Sequence, residues 1–374
     1  MGKYQLHIDH DRLAESRHRI TNYYLGRPVD RIPFRYHVSM PHVKMHNFQE
    51  LNEDHSCYLE QWIQTVNAQF ALFPDADNMP FFEYSFMGEA LIASMFGAEQ
   101  VVNPDNQPYT RGRVLHDIDD LDKLPERIDP LHDGWGKRLF DLIDMCMDAT
   151  HGEIPVCVCD HQSPYGIATK IMENENLILA MYDDPEATHR FLQIATNAII
   201  DTTDAIIARA GLENTVLNLA TGVPGGETGL IMWDDYVSVL NPDMHREFCV
   251  PYNLQLYERY GHGHLHTCGP YFPRFYEPCL ACKPRSIDFA ILTGATRTRA
   301  DHYKLRQITR DAGIILNGYP VISEGNVFDG KHIVSDEAFL TDMALGGILP
   351  ISGGSVEEGK KQIEMWKRIS ARVL

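Results

Sequence analysis

The segment GHGHLHTCGP, residues 261–270, sets His264, His266 and Cys268 at alternate positions, separated by Leu265 and Thr267. Successive side chains on a strand point to opposite faces, so these three share one face. An imidazole beside a thiolate suits zinc, a borderline-soft cation that takes nitrogen and sulfur ligands. The Gly269-Pro270 turn ends the run, which leaves His266 and Cys268 at the C-terminal end of their strand. The competing reading of a bare His-x-Cys is a buried pair packed in the core.

Other chemistry-bearing residues finish other apolar runs: Asp160-His161-Gln162 after PVCVC, Asn218 in VLNLA, Asp288 in SIDFA and Asn317 in IILNG. Asp160 follows a wholly apolar strand, so a polar site or a turn must receive it; in a site it would serve as acid or base. Glu227 lies in TGVPGGETG, a loop with neither the Gly-Lys-Ser/Thr ending of a P-loop nor the Gly-x-Gly-x-x-Gly dinucleotide fingerprint. Cys279 and Cys282 have Cys-x-x-Cys spacing without a second pair, and Cys157 and Cys159 alternate on one strand face; both pairs read as packing. No Gly-x-Ser-x-Gly elbow occurs.

These residues need a scaffold that brings strand ends together. Eight strand-like runs are expected, at Ile32–Val38, Gln69–Phe73, Ile154–Asp160, Thr215–Ala220, Gly263–Cys268, Ile287–Leu292, Gly313–Asn317 and Gly347–Ile351. Helical segments alternate with them. One has Asp184 as cap, Pro185 at its first position and Gly211 as its stop; another opens with the capping-box pair Ser355 and Glu358. Repeated strand–helix alternation predicts a (β/α)8 TIM-type barrel, whose active sites sit at the C-terminal strand ends. The stretch 84–150 shows no strand pattern and is expected to be a helical insertion between strands two and three of one domain spanning 1–374.

Composition narrows the partners. With 33 basic and 52 acidic residues, the net charge of −19 argues against nucleic acid. No leader-like or membrane-spanning apolar run appears, and eight cysteines without a secretion signal read as reduced thiols, so the expectation is a cytoplasmic enzyme.

The segments LGRPVDRIPF, FGAE (96–99), HDIDDLDKLPE (116–126), SPYGIATKIMENENLILAMYDDPEATHRFL, DDYVSVLNPDMHREFCVPY, HLHTCG, SIDF, ILNGYP and GGILPISGGS follow one another in a familiar order. In them the sequence resembles the uroporphyrinogen decarboxylase superfamily, and within it the cobalamin-linked methyltransferase branch. The resemblance implies an eight-stranded α/β barrel in which a His-x-Cys like His266-Thr267-Cys268 binds zinc with a further cysteine from the last strand region. Here that region reads Pro350-Ile351-Ser352-Gly353-Gly354, without the cysteine. Asp288 lies about where related zinc methyltransferases place an acidic residue, and Glu227 is a substitute ligand. True decarboxylases carry an early arginine-rich segment for porphyrin carboxylates; this chain has Arg35-Tyr36-His37-Val38-Ser39-Met40 there, and its net charge of −19 repels an octa-anion.

The expected function is therefore zinc-dependent transfer of a methyl group between a small substrate, such as a methyl ether, and a corrinoid carried on a partner protein. Metal ligands are expected at His266, Cys268, Asp288 and Glu227, and catalytic groups at Asp160, Asn218 and Tyr165, with Tyr36, Tyr165 and Tyr319 as pocket aromatics. A homodimer is compatible with the chain. Two rivals stand beside this reading: a metal-independent decarboxylase or lyase that uses Asp160, and a non-catalytic member that binds a corrinoid protein or ligand.

Overall fold

A computed structural model describes residues 5–38, 40, 42–267, 276–288, 299–316, 321–322, 327–328, 331–332, 337–338, 340–341 and 351–374. Cys268, Asn317 and Tyr319 lie outside the described residues. The architecture is mixed α/β, with short parallel strands wrapped by helices. Arg35–Val38 pairs in parallel with Ile351–Gly354, which pairs in parallel with Val321–Ile322. Leu230–Trp233, His262–His266, Ser286–Ile287 and Ile315–Leu316 form a second parallel set in that order. Val156–Cys157 and Thr215–Val216 form a third.

Single contacts join these sets. Phe82 bridges in parallel to Val156, the Asp77 N–H donates to the Phe34 carbonyl at 2.8 Å, and the Ile231 N–H donates to the Leu217 carbonyl at 2.9 Å. Parallel strands covered by helices lie buried on both faces. Accordingly Val156, Cys157, Val216, Leu230, Leu265 and Ile287 are all in the core. Cys157, Cys159, Cys279 and Cys282 are buried there too, and burial pushes their thiols up.

Local sequence explains the best-marked helices. Pro185–Ala210 begins where the Asp184 side chain accepts the Ala187 N–H and ends at Gly211, whose φ of 83° lies in the region that glycine enters without strain. With Pro164–Ile171 and Asn174–Asp183 before it, it carries the chain from Val156–Cys157 to Thr215–Val216. Val356–Val373 starts with the reciprocal Ser355 and Glu358 box and buries Ile363, Trp366 and Ile369.

The expected strand Gln69–Phe73 is corrected. It is the end of the helix His55–Leu72, capped by Asp54, which buries Tyr58, Ile63, Val66 and Phe70 at helical spacing. A five-residue apolar run has no period long enough to separate strand from helix end. The second pass of the sheet runs instead through Asp77 to Phe82. Leu230–Trp233 is a strand absent from the expected set. Within 84–150 the chain forms the helices Leu91–Met95 and Gly136–Ala149, and also an antiparallel pair, Glu99–Val101 with Tyr109–Arg111. That pair is largely exposed, so no apolar alternation marks it in the sequence.

Asp77 ties the first helix to the first strand. Its fully buried carboxylate takes Arg19 at 2.5 Å, Arg31 at 2.5 Å, the Ser16 hydroxyl at 3.1 Å and the Phe34 N–H at 3.1 Å. Removing one partner of a buried ion pair strands the other charges. Asp77→Ala is expected to cost about 3 kcal/mol in a denaturant titration; a loss below about 1 kcal/mol, the scale of an exposed pair, would refute this role.

Candidate active site

The strand His262–His266 aligns His264 with Ser286 and His266 with Trp233 of its two neighbours. Leu265 points into the outer core, so His264 and His266 take the opposite face. Asp288 follows the neighbouring strand directly, its N–H on the Leu265 carbonyl at 3.0 Å, which sets its carboxylate beside both imidazoles. His266 Nδ1 lies 2.8 and 2.9 Å from the two Asp288 oxygens, and His264 Nε2 lies 3.5 Å from Oδ1. The ligating atoms of His264, His266 and Asp288 all fall within 4.8 Å of one another. Burial pushes the Asp288 carboxyl up, but the charges of His266 and His264 outweigh it and bring the pKa down to about 2.

A polar column runs inward from this cluster. His264 Nδ1 meets the Ser286 hydroxyl at 2.8 Å, Ser286 meets the Tyr24 hydroxyl at 2.8 Å, and Asn218 donates to Tyr24 at 3.3 Å. Outward, His266 Nε2 lies 3.7 Å from an oxygen of Asp235. Asp235 is carried by the turn after Leu230–Trp233, and its neighbour Asp234 anchors that turn. The buried Asp234 carboxylate contacts His245 Nε2 at 2.8 Å, Asn253 at 3.0 Å and the Ser163 hydroxyl at 3.2 Å, while its N–H donates to the His266 carbonyl at 2.8 Å. Desolvation opposes its charge, yet His245 and the hydrogen bonds hold the Asp234 carboxyl below the ordinary range.

Beside Asp235 stands an acidic group. Asp160 accepts from Gln162 Nε2 at 2.9 Å, and desolvation, reinforced by the charges of Glu89 and Asp235, pushes it up to about 6. Glu83, whose side chain is open to solvent yet crowded by protein, is raised by desolvation and by the charge of Asp160. Lys170 pairs with Glu89 and sits 5.6 Å from the centre of the Tyr236 ring; burial disfavours its charge, but Glu89 more than restores it.

Residues 15–290 match the family model described as Uroporphyrinogen decarboxylase (URO-D). The chain belongs to this family. In overall fold this URO-D member resembles a methyltransferase from Methanosarcina mazei, with a TM-score of 0.63 over 94% of this chain and 98% of that one at 15% identity. No curated protein matches it in sequence.

Of the residues singled out from sequence, this URO-D protein brings His266 and Asp288 into contact, and Asp160 feels the charge of Asp235. Asn218 is fully buried deeper in, donating to the Thr228 carbonyl at 2.8 Å and accepting the Ala220 N–H at 3.1 Å; it shapes a loop and reaches the cluster only through Tyr24. Tyr165 is fully buried, its hydroxyl donates to Asn174 at 2.7 Å, burial pushes its pKa up, and its ring meets Tyr236 edge-on at 6.0 Å, behind the residue that follows Asp235. Tyr36 is likewise buried, its hydroxyl on the Ser355 carbonyl at 2.7 Å. Glu227 is exposed ahead of the N-terminal end of Leu230–Trp233, in a recess of about 310 Å³ with Arg17, His18 and Asn22, whereas His266 ends its parallel neighbour. Asp235, Glu83, Glu89 and Lys170 are the additions, and His264, noted for its shared strand face but not as a ligand, joins the cluster. The His-x-His-x-His alternation carried a signal for His264; Asp235 carried none once its strand went unrecognised.

Between pH 3.8 and about 6 the folded protein keeps a proton on Asp160 that the unfolded chain has released. Its stability therefore falls as pH rises through that window, and the cost is fully present above it. Asp160→Asn is expected to remove this slope and to stabilise the protein above the window, read as denaturation midpoints across a pH series. Identical profiles for variant and wild type would contradict the raised pKa.

Proposed function

We propose that this protein is a zinc-dependent methyltransferase that moves a methyl group between a small substrate, such as a methyl ether, and a corrinoid held by a separate protein in the cytoplasm. In this reading 1–374 form one closed (β/α)8 barrel with 84–150 as its insertion. The observation that carries it is the His266–Asp288 pair, with His266 Nδ1 on the carboxylate at 2.8 Å and Nε2 turned outward. A ligating histidine characteristically donates its other ring N–H to a carboxylate, which fixes ring and tautomer. His266 through Nε2, with Cys268 from the sequence resemblance, offers donors of the nitrogen and sulfur kinds that zinc accepts, and Asp288 stands behind the imidazole.

Bound zinc would supply Lewis acidity, either holding a thiol as thiolate or drawing electron density from an ether oxygen. The protein's own groups would do the rest. Asp288 keeps the His266 ring oriented, Asp234 holds the backbone of the His266 strand against its neighbour, and Asp160, with a pKa near 6, gives a proton to a departing alkoxide or phenolate and recovers it afterwards. The acidic wall of Glu83, Glu89, Asp160 and Asp235 disfavours a porphyrin carboxylate substrate. A second reading, decarboxylation without metal, draws on the same raised Asp160 pKa, which suits a general acid.

Metal analysis of the purified protein separates the two. The expected result is one zinc per chain in the wild type, its loss in His266→Ala, and zinc-dependent methylation of a reduced corrinoid protein. A metal-free wild type that retains full decarboxylating activity after chelation would overturn the methyltransferase reading, and zinc retained by His266→Ala would overturn the site.

A further inference from the structure

We propose that Asp235, rather than Asp288, supplies the carboxylate ligand of the metal centre, with Asp288 acting from behind as the residue that positions His266. This rests on the zinc reading above and assigns its ligand atoms.

The first argument is the occupation of Asp288. Both of its oxygens lie within 2.9 Å of His266 Nδ1, and Oδ1 also accepts the Thr267 N–H at 3.3 Å. A separation of 2.8 Å between Nδ1 and oxygen is a hydrogen bond; two atoms ligating one tetrahedral zinc stand roughly 3.4 Å apart, since each lies about 2.0–2.2 Å from the metal. A cation coordinated between Nδ1 and Asp288 must therefore break the contact that orients the ring. The inner pair of His264 Nε2 and Asp288 Oδ1 has a suitable 3.5 Å separation, but both side chains are only 2% exposed. A catalytic zinc keeps a coordination position open to substrate, and that pair offers none.

The second argument is the outward side of the ring. With Nδ1 turned to Asp288, Nε2 is the ring nitrogen left facing outward, and an imidazole that gives up its Nε2 proton to a metal presents its lone pair there. Asp235 Oδ1 lies 3.7 Å from that atom, within a few tenths of an ångström of the separation for two ligands on one zinc, and the side chains of His266 and Asp235 are 18% and 24% exposed. This pair faces where a substrate can arrive.

The third argument is how firmly Asp235 is presented. Trp233 is in register with His266, and Asp234 donates its N–H to the His266 carbonyl while its carboxylate is held by His245, Asn253 and Ser163. The turn bearing Asp235 is thus fastened to the strand bearing His266. A carboxylate here also makes good the donor missing from the last strand, which reads Ile351-Ser352-Gly353-Gly354 without a cysteine.

The test uses the full chain, stripped by chelator and titrated with zinc against a chromophoric competitor, then with cobalt(II) for its visible spectrum. Asp235→Asn is expected to weaken zinc binding by more than a hundredfold and to alter the cobalt bands, with Asp235→Glu recovering part of the affinity. Asp288→Asn is expected to keep one site and its cobalt bands, with affinity down ten- to a hundredfold, as for a residue behind a ligand. Wild-type affinity and spectrum in Asp235→Asn, with changed cobalt bands in Asp288→Asn, would overturn the assignment and leave the zinc reading intact. A wild type that takes up no zinc would remove that reading, and this one with it.

Discussion

The contact between His266 and Asp288 is the constraint around which the candidate site is arranged. A carboxylate that is 1% exposed is costly to bury unless opposite charge and hydrogen bonds meet it. Asp288 receives them from His266 and His264 on the adjoining strand and from the N–H of Thr267 just after it. The register that aligns Leu265 with Ile287 is what makes those groups converge. A slip of one residue would turn the imidazoles into the apolar outer layer and leave the carboxylate without partners. The pairing of these strands and the chemistry of the site are therefore specified together.

Two buried carboxylates, Asp234 and Asp288, lie on either side of the His266 strand. Each is kept ionised against the cost of desolvation by histidine, His245 for one and His264 with His266 for the other. Asp160 differs: desolvation raises it, and among the described residues Glu89 and Asp235 push its pKa further up. Environments that separate carboxyl pKa values in this way divide their roles, some fixing structure and one left to exchange protons near neutrality.

Features set by short-range rules were legible in the sequence. The Asp184 cap with Pro185, the Ser355 and Glu358 box, and the shared face of His264 and His266 follow from local geometry alone, and the structure has all three. Asp288 was reached by resemblance and by its place at a strand end. What escaped needed tertiary information. The run at Gln69–Phe73 looks like a strand until Asp54 is seen to start a helix eighteen residues long. Leu230–Trp233 hides behind a glycine-rich loop, and with it went Asp235. Glu227 and Tyr165 carry suitable chemistry, but strand direction puts the first beyond the N-terminal end of its strand, and the hydroxyl of the second is taken up by Asn174. Residue type names candidates; direction along the strand decides among them.

The polar column from Asn218 through Tyr24, Ser286 and His264 to Asp288 and His266 draws on parts of the chain as much as 262 residues apart, as between Tyr24 and Ser286. Tyr24 comes from the first helix and is the piece that closes the column from below. Without that helix Ser286 would lack its inner partner, and His264 would be held from below by a hydroxyl with no fixed direction of its own. A change that displaces Tyr24 from the first helix would therefore be felt at His264 through Ser286, across 262 residues of sequence.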